Sequence, residues 1–174
     1  MATVEKPAEH DTGAIGRQPG EGETIRNPVG GPLTFKVRAE QTNGALTVVE
    51  SIAPPGEGPP LHVHADEDEA LYTLDGTLRF RMEDEVQTAP TGAFAFIPRG
   101  TAHAWQNIGD APARLLVIFT PAAAGVERFF ERFAELPEDE LGLEAFRRLA
   151  SEADTDMVGP PLAVSHPLCE SDPT

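Results

Sequence analysis

The sequence is poor in cysteine, in basic residues and in long apolar runs, and each shortage closes off a class of function. Its single cysteine, Cys169, has no partner for an intrachain disulfide, which fits a reducing cytoplasm; it sits in a polar stretch and reads as an incidental thiol. Lysine and arginine number 13 against 29 aspartates and glutamates, giving a net charge of −16 and a pI near 4.5. So acidic a chain is a poor partner for nucleic acid or anionic membranes, and has few side chains with which to hold a phosphate. No apolar run is long enough to span a bilayer. The opening residues, Met1 to Pro7, have no apolar core of the signal-peptide kind, so a cytoplasmic location is expected. What is present is ordinary for a soluble globular chain: 40% hydrophobic and 24% charged residues over 174 positions, enough for one domain with its own core.

Three of the five histidines fall between Gly56 and Asn107, with a carboxylate among them. The first half of this stretch reads Gly56, five residues, His62-Val63-His64, four residues, Glu69, six residues, Gly76. The second reads Gly92, five residues, Pro98-Arg99-Gly100, two residues, His103, three residues, Asn107. His62 and His64 are two apart, so on a strand both imidazoles point to one face. Glu69 lies an odd number of steps further on and needs a break within Ala65–Asp68, a run poor in β-formers, to rejoin that face. His103 must arrive from a separate strand. Three neutral imidazoles and one carboxylate make a borderline donor set suited to one divalent transition metal: Mn, Fe, Co, Ni, Cu or Zn.

At these residues the sequence resembles the cupin superfamily. The family's two motifs, Gly-x5-His-x-His-x3 or 4-Glu-x6-Gly and Gly-x5-Pro-x-Gly-x2-His-x3-Asn, are matched at every fixed position, and the resemblance covers roughly residues 34–120. It implies an all-β fold, a double-stranded β-helix (cupin or jelly-roll barrel) followed by one or two C-terminal α-helices. It further implies that His62, His64, Glu69 and His103 are metal ligands and that the glycines and Pro98 are turn residues. Small bacterial single-domain cupins similar to quercetin 2,3-dioxygenases continue in the same way, with an aromatic-rich helix after the barrel. Members of the family commonly form homodimers through their sheets.

In chain order, residues 1–31 are rich in glycine and proline and read as a flexible arm, in which His10 is a solvated residue. A cupin barrel is expected over 32–121. Within it Leu33–Ala39 and Leu46–Ala53 alternate as half-buried strands, and Pro54-Pro55-Gly56 with Pro59-Pro60 bracket a stiff loop before His62. Asp75-Gly76 is a hairpin signal between Ala70–Leu74 and Thr77–Met82; Arg79 and Arg81 then face outward or a neighbouring subunit. Strands are also expected over Val86–Ala89, Ala93–Ile97, Thr101–Gln106 and Arg114–Thr120. Residues 122–153 should form two helices on the barrel, the first burying Val126, Phe129, Phe130, Phe133 and Leu136, the second Leu141, Phe146 and Leu149. Residues 154–174, with four prolines, read as a tail, and His166 there is not a ligand candidate.

The inward aromatic candidates, Phe80, Phe94, Phe96 and Trp105, suggest an apolar substrate pocket. For Trp105 two readings stand: a wall beside the metal, or an aromatic packed in the barrel. A metal with an open position lowers the pKa of a hydroxyl that binds it, and Glu69 can act both as a ligand and as the catalytic base. With a redox-active metal this describes a dioxygenase acting on an enolic or aromatic small molecule, the activity that the resemblance implies. Two alternatives remain: a non-catalytic metal-binding or ligand-sensing cupin, and a redox-neutral metal-assisted isomerase or lyase.

Overall fold

The computed structural model describes residues 13–168. In chain order its strands are β1 (Glu23–Arg26), β2 (Pro32–Val37), β3 (Thr47–Ala53), β4 (Pro60–His64), β5 (Asp68–Asp75), β6 (Thr77–Met82), β7 (Glu85–Pro90), β8 (Phe94–Ile97), β9 (His103–Asn107) and β10 (Ala113–Thr120). Helices α1 (Ala124–Ala134) and α2 (Leu143–Ser151) follow, then strand β11 (Thr155–Pro161) and the short helix α3 (Leu162–Ser165). The strands form two antiparallel sheets, one in the order β1-β2-β3-β10-β5-β8 and the other β11-β4-β9-β6-β7. This is the all-β double-stranded helix expected of the sequence. No helix among the described residues is long and apolar enough to cross a membrane.

The larger sheet is held by its central strands. In β3 the side chains of Thr47, Val49, Ser51 and Ala53 are buried and those between are not, and β10 alternates likewise. The two pair without slippage from Ala113–Ala53 to Phe119–Thr47, because a one-residue slip would turn both apolar faces to water. Leu33, Phe35, Leu71 and Leu115 from this sheet meet Leu78 and Phe80 of the other in one core. Burial of each such side chain is worth about 1.5–3 kcal/mol.

Asp75-Gly76 is not a hairpin. β5 pairs with β10 and β8, whereas β6 pairs with β7 and β9, so the dipeptide carries the chain from one sheet to the other. Gly76 has φ +88°, and a Cβ there would lie 2.8 Å from that of Ala113; the turn signal was real, but tertiary packing gave it a corner to turn. The hairpin on this side of the fold lies instead between β6 and β7, around Glu83-Asp84.

Two described stretches outside the expected barrel, 23–26 and 155–165, contribute more than expected. Within the stretch read as an arm, β1 pairs with β2 from Glu23–Phe35 to Arg26–Pro32, and its glycines close the loop between them. Within the stretch read as a tail, β11 pairs with β4. Its prolines are tolerated because it is an edge strand, where a missing N–H breaks no second ladder. Leu162 of α3 is buried against Leu61 and Ala104, and this tail covers Arg79. That side chain is therefore buried rather than outward: its guanidinium donates to Gln106 Oε1 and to the carbonyls of Leu162 and His166. His10 and Cys169 lie outside the described residues.

The helices sit on the barrel as the apolar spacing requires. Phe129 and Phe133 of α1 pack with Leu149, Ala150 and Ala153, and Phe130 meets Phe35 edge-on. Glu127 anchors α1: its carboxylate accepts from Ala39 N at 2.7 Å and Thr47 Oγ1 at 2.5 Å.

Candidate metal centre

The two short histidine and glutamate patterns converge at one end of the barrel. His62 and His64 come from β4, Glu69 from β5 and His103 from β9. The break expected in Ala65–Asp68 is where the chain leaves the smaller sheet for the larger one, so Glu69 faces the histidines from across the barrel. His103 is the direct cross-strand partner of His62. One donor atom from each of the four residues lies within 4.8 Å of all the others, and all four side chains are buried.

The surroundings explain how these side chains are held. The loop before β4 is tied to β9 by Gly56 N donating to Asn107 O and Asn107 N donating to Glu57 O, both at 2.9 Å. Gly58 packs so closely that a Cβ would stand 2.0 Å from the Trp105 carbonyl oxygen. Asn107 is fully buried and donates to Ala53 O and Ala111 O, so it secures the β9–β10 corner rather than binding a ligand. The Pro98-Arg99-Gly100 turn is pinned to β4 by Gly100 N donating to His64 O at 2.8 Å.

The hydrogen bonds also fix which imidazole nitrogen faces inward. His62 Nδ1 lies 2.8 Å from Pro60 O, and His103 Nδ1 lies 3.0 Å from Thr101 O. A carbonyl only accepts, so both Nδ1 atoms carry hydrogen. His64 Nδ1 lies 3.1 Å from Thr155 Oγ1, whose own hydroxyl donates to Ala153 O, so this Nδ1 donates as well. In each neutral ring the Nε2 lone pair is then left for the interior, the arrangement found in metal-ligating histidines.

Glu69 Oε2 lies 2.8 Å from His103 Nε2 and 3.1 Å from His64 Nε2. Lone pairs cannot face one another at such distances without a positive charge between them. Either a proton on an imidazole or a cation held jointly meets the requirement, so the donor set fits a metal. Without metal the cluster responds as a coupled unit. Burial, reinforced by the other two imidazoles, holds His62 well below the usual histidine range. Burial opposes charge on His103 too, but the Glu69 carboxylate outweighs it and raises that histidine. Burial alone would push Glu69 up; the facing His103 and His64 overcome it and hold the carboxyl far below its usual range.

Beside this cluster lies a small, partly open cavity of about 70 Å³, lined among others by His62, His64, Glu69, Trp105, Phe119 and Phe146. It is mostly apolar, has no lysine or arginine in its wall, and Glu69 is its one carboxylate. A second, more open cavity of about 420 Å³ abuts it, and Asn27, Pro28, Val29 and Phe146 line both. Phe146 and the β1–β2 loop thus border both the larger cavity, here called the vestibule, and the smaller chamber.

Of the expected pocket aromatics, Trp105 is in the wall, while Phe80 is buried in the barrel core and not in the wall. Phe94 and Phe96 are 62% and 54% exposed. On β8 the inward positions belong to Ala95 and Ile97, so the two phenylalanines point to solvent from the far face of the larger sheet. Thr155, Asn27 and Ser51 were not anticipated. Thr155 was hidden in a proline-rich stretch, although the alternation that begins with it is that of a strand. Asn27 stood in a segment whose composition masked a hairpin.

Comparison with known proteins places this geometry. Residues 49–119 match the family described as Cupin domain. The tetracenomycin polyketide synthase protein TcmJ of Streptomyces glaucescens is 33% identical over 82 residues, 47% of this chain and 54% of that protein. The quercetin 2,3-dioxygenase of Bacillus subtilis is 32% identical over 73 residues, 42% of this chain and 22% of the relative. A germin-like protein of Brassica napus is 33% identical over 104 residues, 56% of this chain and 50% of its own length. The chain thus spans about half the length, or less, of these curated relatives. Among solved structures, a predicted oxalate decarboxylase from Thermotoga maritima superposes with a TM-score of 0.54 at 24% identity, covering 62% of this chain and 99% of that one. An RmlC-like cupin from Shewanella frigidimarina gives 0.54 at 17% identity, covering 64% and 94%. Both likenesses concern the fold.

Proposed function

We propose that the chain, whose residues 49–119 match the family described as Cupin domain, binds one divalent transition metal through His62, His64, Glu69 and His103 and is a dioxygenase of an enolic or aromatic small molecule. One observation carries the reading: three imidazoles, each with Nδ1 committed to an acceptor, bring donor atoms within 4.8 Å of one another and of a single carboxylate, with His64 and His103 Nε2 directly facing it, at the edge of an apolar chamber. The apolar wall favours a neutral aromatic or enol over a sugar, and the lack of lysine and arginine there disfavours phosphorylated substrates. A relative named quercetin 2,3-dioxygenase supports the choice of reaction class.

A bound metal would supply Lewis acidity to a substrate hydroxyl that reaches it. The residues do the rest. The mostly apolar wall, of which Trp105 is part, offers water few partners. Glu69, the one carboxylate in the wall, is the proton acceptor for that hydroxyl. While two imidazoles face it at 2.8 and 3.1 Å, its carboxylate is too weak a base for the task, so proton transfer requires Glu69 to loosen from at least one of them.

A second reading has its own support. At about 70 Å³ the chamber holds two or so water volumes of roughly 30 Å³ each, far below the roughly 300–1,000 Å³ of small-molecule sites. So small a chamber suits a non-catalytic metal-binding cupin, unless Phe146 moves aside. The test is elemental analysis of protein purified without chelators, followed by oxygen uptake with flavonols and catechols. About one iron, manganese, cobalt, nickel or copper per chain with oxygen consumption is expected. Zinc at full occupancy with no uptake would refute the dioxygenase.

A further inference from the structure

The chamber contains a second polar feature remote from the metal cluster. Asn27, in the β1–β2 loop, and Ser51, on β3, are 4% and 3% exposed, and both line the chamber. Asn27 Oδ1 accepts from Val29 N at 3.2 Å, which fixes the amide so that Nδ2 faces Ser51 and donates to its Oγ at 2.6 Å. Ser51 therefore accepts, and its own hydroxyl hydrogen is free to point elsewhere. The second hydrogen on Asn27 Nδ2 is free as well, since Nδ2 donates only to Ser51. Each atom thus has one partner, and one further donor hydrogen on each is left over in the chamber wall.

We propose that Asn27 and Ser51 form a recognition site for a neutral carbonyl-type oxygen at the end of the substrate remote from the metal. Neutrality follows from the wall: it carries no lysine or arginine, and a buried carboxylate held only by neutral donors is costly. The register gives the direction. Ser51 is four residues along β3 from Thr47, whose row runs through Phe119 to Glu69, so its backbone is offset from the Glu69 row by on the order of 13 Å along the strand direction. The ligand is therefore two-ended, a flat aromatic or enolic molecule with a metal-seeking oxygen at one end and a carbonyl at the other, and the chamber of about 70 Å³ admits it only when Phe146 moves aside. Asn27 also lines the vestibule, so the carbonyl end is captured at the threshold. This site rests on the chamber being a substrate site, as proposed above, but not on the metal or on dioxygen chemistry.

The test uses chelator-treated, metal-free full-length protein, so that no cation can hold the carbonyl. Trp105, the single tryptophan, lines the chamber and reports occupancy through its fluorescence. The probes are chromone, which carries a carbonyl, and naphthalene, a flat molecule of similar size that does not. Wild-type protein is expected to bind chromone about tenfold more tightly, the effect of one or two neutral hydrogen bonds. Ser51→Ala should erase that preference while leaving naphthalene unchanged, and Ser51→Thr, which restores a hydroxyl, should recover it. A melting curve on each variant confirms folding. Equal binding of the two probes by wild type, a preference that survives Ser51→Ala, or no binding of either probe would overturn the proposal. An active metal enzyme with no chromone preference would refute this site alone; a chromone preference in a protein that retains no metal would refute the metal reading alone.

Discussion

The two ends of the chamber are built by opposite means. At the floor, the histidine nitrogens turned away from the interior are hydrogen-bonded to acceptors, and their strands are held in register by ladders and by the Gly56–Asn107 and Gly100–His64 bonds. At the roof, Phe129, Phe133 and Phe146 meet by ring contacts with centroids 5.0–6.1 Å apart. Hydrogen bonds are directional and fix a geometry to tenths of an ångström, whereas apolar packing is non-directional and tolerates repacking. The floor is thus suited to hold a cation at fixed distances, and the roof to give way when something must enter.

Breaking the floor should have the largest effect. His62→Ala or His103→Ala removes one of four donors, and because binding draws on all of them together, metal content should fall from about one per chain to near zero. Elemental analysis of the purified variants reads this directly, and full occupancy in both would end the assignment. Breaking the roof should leave the metal in place. Phe146→Ala is expected to destabilise by about 2–3 kcal/mol, less than the 3–5 typical of a fully buried phenylalanine, since this ring is only half-buried. It should also raise the quenching of Trp105 fluorescence by acrylamide several-fold, as chamber and vestibule merge. Leu149→Ala, on the same helix and buried in the same cluster, loosens α2 without removing the partition; equal quenching in both variants would show that no door exists. Thr155→Val probes the seam between the regions. It removes the acceptor of His64 Nδ1 from a strand that the chain's last third lays against β4, and loss of such an outer partner costs about 10–100-fold in metal affinity, measurable by competition with a chelator. Unchanged affinity would mean that the backbone alone orients His64.

The same contrast explains what the sequence disclosed. His62 and His64 were legible as a same-face pair because a strand has a period of two, and so was the β-poor break before Glu69, whereas the meeting of His103 with them was implied by the resemblance to cupins and not by any local spacing. The strands β2, β3, β6 and β10 were legible for the same local reason, and so were α1 and α2 from the recurrence of phenylalanine. What was not legible depended on distant pairings. Glycines before β2 and prolines in β11 looked like disorder because their value lies in a loop closure and an edge position that only the partner strands define. Arg79 alternates outward on β6, and nothing local to it reveals that residues 162–166 return to cover it. Phe94 and Phe96 were placed inside by their apolarity, whereas β8 puts its small residue, Ala95, and Ile97 toward the core.

Those two phenylalanines give the smallest and most discriminating expectation. Phe94 stands opposite Tyr72 in the register of β5 and β8, and Tyr72 is itself 40% exposed. Phe94→Ser therefore removes an exposed cross-strand pair worth about 0.2–1 kcal/mol, with little buried area lost. The melting temperature should move by no more than a few degrees, while metal content, acrylamide quenching of Trp105 and any chromone preference stay at wild-type values. Had Phe94 lined the chamber, the same substitution would place a hydroxyl beside the metal cluster and open the wall, and all three readouts would shift together. A change in any of them at constant folding would mean that the outer face of the larger sheet is coupled to the chamber across β5, the strand that carries Glu69 on its other side.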